Sequence, residues 1–182
     1  MLPWVVSQRE EVFATRRWRV ERSMRRREGE GKEHLFHTIR IADFVNVVAC
    51  TVAQELVMVR QFRHGVEAPT LEFPGGLVDP GESDVAEAAR RELLEETGYD
   101  GVLAPLGVIH PNPALLNNRC HLFLVEAARR VAAPRLEETE DVELVLVPRE
   151  QWGAPGGVPL HGSLTNAMTL AALALWRARV GV

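Results

Sequence analysis

The chain has 182 residues, 46% of them hydrophobic and 25% charged, with a net charge of −4. That length suits one domain with an ample core and leaves room for a small N-terminal appendage. The acidic balance argues against a dedicated nucleic-acid binder. Charges or prolines interrupt every apolar run before it reaches membrane-spanning length, so no membrane partner is expected. Residues 1–7 lack the basic start and long apolar core of a signal peptide. Cys50 and Cys120 stand inside apolar, strand-like runs and read as reduced core residues of a cytoplasmic protein. His34 and His37 have no companion ligands at metal-binding spacing.

In chain order, residues 16–41 read as a β-hairpin. Trp18, Val20 and Met24 alternate with polar residues, and Phe36, Ile39 and Ile41 follow the turn-rich stretch 28–32. Two strands at 44–50 and 56–59 come next. A helix is predicted over 85–97, with Asp84 as N-cap, Glu87 completing a capping box and Gly98 as the C-terminal stop. Strands follow near 102–109, 120–125 and 142–147, with loops rich in Pro and Gly at 111–113 and 153–159. A last helix spans roughly 164–179, with Leu164, Met168, Ala171, Ala172 and Leu175 as its apolar stripe. Mixed strands and two long helices indicate an α/β (α+β) sandwich.

The helix at 85–97 has an unusual wheel. Val85, Ala86, Ala89 and Leu93 fall within an arc of about 100°, the face expected to pack on a sheet. Glu96 lands inside that arc, Glu92 just outside it and Glu95 one step further round. Three carboxylates beside a packed face repel one another, and desolvation raises their pKa values. A hard cation resolves the conflict, because Mg²⁺ takes oxygen ligands and bridges carboxylates to substrate phosphates. Mn²⁺ is a possible substitute. Arg91, four residues before Glu95, is placed to pair with it and to orient an acidic residue of the preceding loop. An ordinary charged helix is the competing reading of the glutamates alone.

Upstream, Glu72-Phe73-Pro74-Gly75-Gly76-Leu77 passes from a strand into a glycine turn, where carbonyls can approach a metal without a Cβ in the way. The whole pattern Gly76…Glu82…Arg91-Glu92-Leu93-x-Glu95-Glu96-x-Gly98-Tyr99 resembles the Nudix box. The resemblance implies a Nudix-like α/β/α sandwich with a mixed sheet over residues 43–182. It also implies a loop–helix–loop metal site holding Gly75, Gly76, Glu92, Glu95 and Glu96. One departure stands out: the family has seven residues between its first Glu and the Arg, and this chain has eight. Beginning the helix at Asp84 puts the extra residue in the preceding turn and keeps the carboxylate register. An insertion inside the helix would rotate the acidic face by about 100°.

Gln61-Phe62-Arg63-His64-Gly65, with the stretch 71–76, resembles the ADP-ribose and nucleotide-sugar pyrophosphatase branch. There the equivalents of Arg63 and Glu72 line the substrate cleft, and a planar guanidinium suits diphosphate oxygens. In that branch an N-terminal extension, here residues 1–42, exchanges between subunits of a homodimer. An acidic loop carries a catalytic glutamate; Glu138 aligns best with it and Glu140 second. With Arg91, Glu95 and Glu138 as catalytic residues, the resemblance implies metal-dependent hydrolysis of a nucleoside diphosphate linked to another moiety, ADP-ribose or an NDP-sugar. The stretch 111–119 departs from the ADP-ribose pattern, having Asn and Arg where Pro-Gly and an acidic residue are usual. Asn118 and Arg119 either read a different sugar or base, or cap the strand at Cys120. Two alternatives stay open: a nucleotide-sensing module without catalysis, and an RNA-end pyrophosphohydrolase using the arginines at 16, 17, 19, 22, 25, 26 and 27. Those arginines also suit the solvated face of an edge strand, and packing is the competing role for Trp18.

Overall fold

The computed structural model describes residues 3–136, 141–148, 151 and 165–181. Glu138, Glu140, Leu164 and the loop at 153–159 lie outside the described residues. The chain divides into two compact units, one of Met1–Asp43 with His110–Arg119 and one of Phe44–Ile109 with Cys120–Val182. Residues 110–119 therefore belong with the N-terminal stretch, a grouping that strand patterns along the chain do not reveal.

The first unit is a three-stranded antiparallel sheet of β1 (Trp4–Ala14), β2 (Trp18–Arg27) and β3 (His34–Ile41), in that order. The expected hairpin is β2–β3, and β1 is the strand that went unanticipated. Its residues are nearly all exposed, so it has no alternation of buried and polar positions to signal it; its ladder to β2 holds it. The arginines of β2 meet acidic partners. Arg22 pairs with Glu10 and Arg19 with Glu11, while Arg25 and Arg27 lie over the rings of Phe36 and Trp4. Trp18 packs on Phe13, with ring centroids 5.4 Å apart. Within the same unit, Ile39 N–H donates to Leu115 O at 2.8 Å, Asn117 N–H donates to Ile39 O at 3.2 Å and Ile41 N–H donates to Asn117 Oδ1 at 2.9 Å.

The second unit holds β4 (Phe44–Thr51), β5 (Glu55–Arg63), β6 (Ala68–Glu72), α1 (Val85–Thr97), β7 (Tyr99–Asp100), β8 (Leu103–Ile109), β9 (Cys120–Arg130), β10 (Val142–Pro148) and α2 (Ala167–Val180). Its seven-stranded sheet runs β10-β5-β4-β9-β7, with β6 on β5 and β8 on β9. The β4–β9 pair is parallel and the other pairs are antiparallel. Both faces of the sheet are covered, so β4 and β9 read as continuous apolar runs. Alternation along each strand then sorts the side chains between two cores. Val45, Val47 and Ala49 of β4, with Phe123 and Val125 of β9, pack with Ala88, Ala89 and Leu93 of α1. Val48, Cys50, Cys120, Leu122 and Leu124 pack on the other face with Ala172, Leu173 and Trp176 of α2. This is the expected α/β/α sandwich with a mixed sheet. Both cysteines are buried in it, and neither forms a disulfide.

The stripe expected on the last helix is corrected in part. Thr169, Ala172, Leu173 and Trp176 are its buried residues, and Leu175 is exposed. The helix is apolar almost all round, so periodicity gives its direction weakly, and the large Trp176 decides which side docks. Among the described residues no helix is long and apolar enough to cross a membrane.

Candidate active site

The site begins in the turn before α1. Glu82 N–H donates to Asp79 O at 3.0 Å, Pro80 takes the second position and Gly81 the third with φ +99°, the residue pattern of a type II turn. Asp84 then caps the helix by accepting from Ala86 N–H at 2.8 Å, one position earlier than a capping box requires. The residue extra to the family spacing therefore lies ahead of the first helical turn. The glutamates keep their register: Glu92 and Glu96 are buried among the Ala88, Ala89 and Leu93 positions, at 9% and 5% exposure, and Glu95 sits at the rim.

The glycine turn fits beneath these carboxylates. Pro74 O and Gly76 O accept from Val47 and Val45 N–H, both at 2.9 Å, which lays the stretch along β4. A Cβ at Gly75 would stand 2.0 Å from Val45 O, and one at Gly76 would stand 2.5 Å from Glu92 Oε1. At Gly75 the obstacle is backbone and cannot give way, whereas a Cβ at Gly76 would have to displace the Glu92 carboxylate. Asn46 supports the turn from below, donating to Phe73 O at 3.0 Å. Gly75 N–H donates to Glu96 Oε2 at 2.9 Å. The Gly76 carbonyl, expected as a metal ligand, faces the Val45 amide, so its residue contributes the space against which Glu92 rests.

Arg91 gathers the acidic residues. Its guanidinium bonds Glu82 at 3.1 and 3.2 Å, Glu92 at 2.9 Å, Glu95 at 3.1 Å and Leu77 O at 3.3 Å. One nitrogen, Nη1, is shared between Glu92 and Glu95, so both oxygens lie within bonding reach of the same atom. The bond to Glu82 is the main reason the Arg91 pKa is raised further, and the same bond holds the Glu82 carboxyl below its ordinary range. Glu82, which stands in the turn ahead of the helix, is thus the principal partner of Arg91. A cleft of about 430 Å³ opens beside this cluster, lined by Glu87, Arg90, Arg91, Leu94, Glu95, Ala132, Ala133 and Arg135.

Arg63 and Glu72 meet directly. Arg63 donates from Nε and Nη2 to the two Glu72 oxygens at 2.8 and 2.7 Å. Glu72 is 1% exposed and also accepts from Thr70 Oγ1. Burial pushes the Glu72 carboxyl up, but the bonds from Arg63 and Thr70 outweigh that and leave it below the usual carboxylate range. Glu72 is therefore no free wall of a cleft; its oxygens are committed to Arg63, whose own side chain is 43% exposed. Thr70 carries no charge and stood out in no motif, although its place two residues before Glu72 puts both on one face of a strand.

Asn118 is buried and its Nδ2 donates to Ala42 O at 3.0 Å, while the backbone N–H of Arg119 donates to the Asp43 carboxylate at 2.9 Å. These bonds fasten the end of the loop at 110–119 to the residues that follow β3.

Among the described residues, no group of three or more His, Cys, Asp and Glu side chains forms a ready chelate; the oxygens point to Arg91 and the Gly75 amide instead. The donor set still fits a hard divalent cation in kind. A single guanidinium is bonded to three carboxylates, Glu96 stands beside them, every donor is an oxygen, and the missing Cβ of Gly76 leaves Glu92 room to move.

The NUDIX domain family matches residues 42–167, and the chain belongs to that family. It is 33% identical over 122 residues to an ADP-ribose pyrophosphatase of Bacillus subtilis (strain 168), covering 66% of this chain and 65% of that protein. It is 30% identical over 157 residues to an ADP-sugar pyrophosphatase of Mus musculus, covering 77% and 72%. The chain thus spans less than two thirds of the Bacillus protein, and 41% of a further curated ADP-ribose pyrophosphatase. In structure it resembles the crystal structure of an ADP compounds hydrolase, with a TM-score of 0.83 at 24% identity over 98% of this chain and 94% of that one. That likeness shows the fold.

The Glu82–Arg91 bond carries a pH signature. Because the folded Glu82 pKa lies below the ordinary 4.5, the bond's contribution is complete above about pH 4.5 and fades as pH falls through the lower folded value. Urea titrations of wild type and Glu82→Gln should differ by a constant amount above pH 5 and converge on acidification. A gap that is the same at every pH would show that the Glu82 charge plays no part.

Proposed function

We propose that the protein hydrolyses the diphosphate bond of ADP-ribose or a related nucleotide sugar, releasing a nucleoside monophosphate and a phosphorylated sugar. The observation that carries this reading is the placement of Glu92 and Glu96, buried, against the Gly75–Gly76 turn, with Glu95 beside them and all three on one edge of α1. The names of the curated relatives support the substrate class.

In this reading Glu92, Glu96, Glu95 and the Gly75 carbonyl hold Mg²⁺, with Mn²⁺ as a substitute. The cation supplies neutralisation of diphosphate charge and activation of water for in-line attack. The rest is done by the chain. Arg91 keeps Glu92 and Glu95 from swinging apart while Glu82 holds Arg91 itself. Arg63 offers Nη1 to a phosphate oxygen while Nε and Nη2 stay on Glu72, a planar fork suited to phosphate. Glu138, with Glu140 second, takes the part of general base by the family resemblance.

The reading extends to assembly and place. Exposed apolar side chains stand on both faces of the N-terminal sheet, Trp4, Val6 and Phe36 on one and Val5, Phe13 and Leu35 on the other, and they suit burial against a second copy of the chain. Two buried cysteines that form no disulfide suit a reducing, cytoplasmic setting. The β2 arginines paired to Glu10 and Glu11 weigh against an RNA contact there.

With Mg²⁺, the wild type should convert ADP-ribose to AMP and ribose 5-phosphate, read by chromatography. Glu96→Gln should lower kcat by about a hundredfold or more, the scale of losing one preorganised electrostatic contact. Undiminished turnover in that variant would defeat the assignment. Light scattering should return twice the 20.3 kDa chain mass; a single-chain mass at working concentration would remove the dimer.

A further inference from the structure

Arg63 ends β5, directly opposite Ala68 of β6, and its guanidinium is close enough to the metal-box carboxylates for Glu96 to raise its pKa, after the larger effect of its bonds to Glu72. An arginine on a long, flexible stem at a strand end samples many rotamers unless something fixes its head. Here that is the Glu72 carboxylate, which is itself held. Oε1 accepts from both Arg63 Nε and Thr70 Oγ1, and Oε2 accepts from Arg63 Nη2. The side chain of Asn166 is near enough to help lower the Glu72 pKa, a smaller effect than those of Arg63 and Thr70. Asn166 is at the same time the N-cap of α2, where its Oδ1 accepts from Met168 and Thr169 N–H at 2.9 and 3.2 Å. Its oxygen is therefore turned to the helix, and its NH₂ is the group left for the carboxylate. The Thr70 bond, with the Asn166 amide near by at the helix terminus, fixes the carboxylate plane, and a carboxylate with a fixed plane fixes a bidentate guanidinium coplanar with it.

We propose that Thr70 and Asn166 are positioning residues for Arg63, acting through Glu72, and that they aim its remaining edge at the substrate diphosphate. This rests on the reading of Arg63 as the phosphate-binding arginine. It assigns the start of α2 and the middle of β6, neither of which carries a motif residue, to substrate affinity. The anchoring triad is complete within the protein, so Arg63 is pre-ordered before substrate arrives and loses little freedom on binding.

Two variants separate positioning from folding. Thr70→Val keeps the shape and removes the hydroxyl. Asn166→Asp keeps the N-cap but turns the donor to Glu72 into an acceptor. Each should raise the KM for ADP-ribose about three- to tenfold, the scale of one lost bond to a charged group, with kcat within about twofold and Tm nearly unchanged. In an Arg63→Ala background neither should raise KM further. Nitrogen-15 spectra give a readout that needs no turnover: the Arg63 Nε–H signal, identified by its loss in Arg63→Lys, should exchange with solvent about tenfold faster in both variants. Unchanged exchange in both, or KM effects that add to those of Arg63→Ala, would overturn the relay. If the exchange rate changes while wild type neither binds nor cleaves ADP-ribose, the relay stands and the phosphate-binding reading of Arg63 falls.

Discussion

The site depends on one guanidinium that holds more negative charge than it can neutralise. Arg91 is bonded to Glu82, Glu92 and Glu95, so a single positive charge faces three carboxylates, two on the edge of a packed helix and one in the turn before it. Burying charge without matching it is costly, and a fold keeps such an arrangement only where something else is gained. The surplus is directed: Arg91 draws the carboxylates together, and the glycine turn leaves them room at one point. Removing Arg91 would release Glu82 from the preceding turn and let Glu92 and Glu95 separate, so the turn, the helix and the oxygen cluster would lose their common anchor.

The sandwich makes that arrangement possible. The α1 helix can carry Glu92 and Glu96 on its inner side only because Ala88, Ala89 and Leu93 seat it on β4 and β9, and because β4 holds the Pro74–Gly76 stretch by its carbonyls. Small residues bring the helix close, and the same closeness means that a Cβ at Gly76 would displace the Glu92 carboxylate. Packing and chemistry here impose the same requirement on the sequence. On the other face, α2 contributes Trp176 and Leu173 to the second core, and its cap Asn166 stands near the carboxylate that holds Arg63.

What could be read from the residues follows the range of the interactions. The register of α1 was legible because a helical wheel needs only local spacing, and the cap at Asp84 located the extra residue before the helix. The strands β4 and β9 were legible as long apolar runs. Glu72 was harder, since its commitment to Arg63 depends on how β5 and β6 pair, and a motif comparison alone suggested a cleft-lining residue. The Asn118 anchor was out of reach for the same reason: its bond to Ala42 spans 76 positions. The strand β1 carried no signal, because an exposed strand held by its ladder has no buried face to mark it.

The most direct test of the central idea is metal binding itself, measured without substrate by the loss of free Mn²⁺ signal in electron paramagnetic resonance. The account predicts saturable binding by the wild type that is lost or greatly weakened in both Glu92→Gln and Glu96→Gln, with Mg²⁺ competing for the same site. Equal binding by the wild type and both variants, or no binding by any of them, would contradict it.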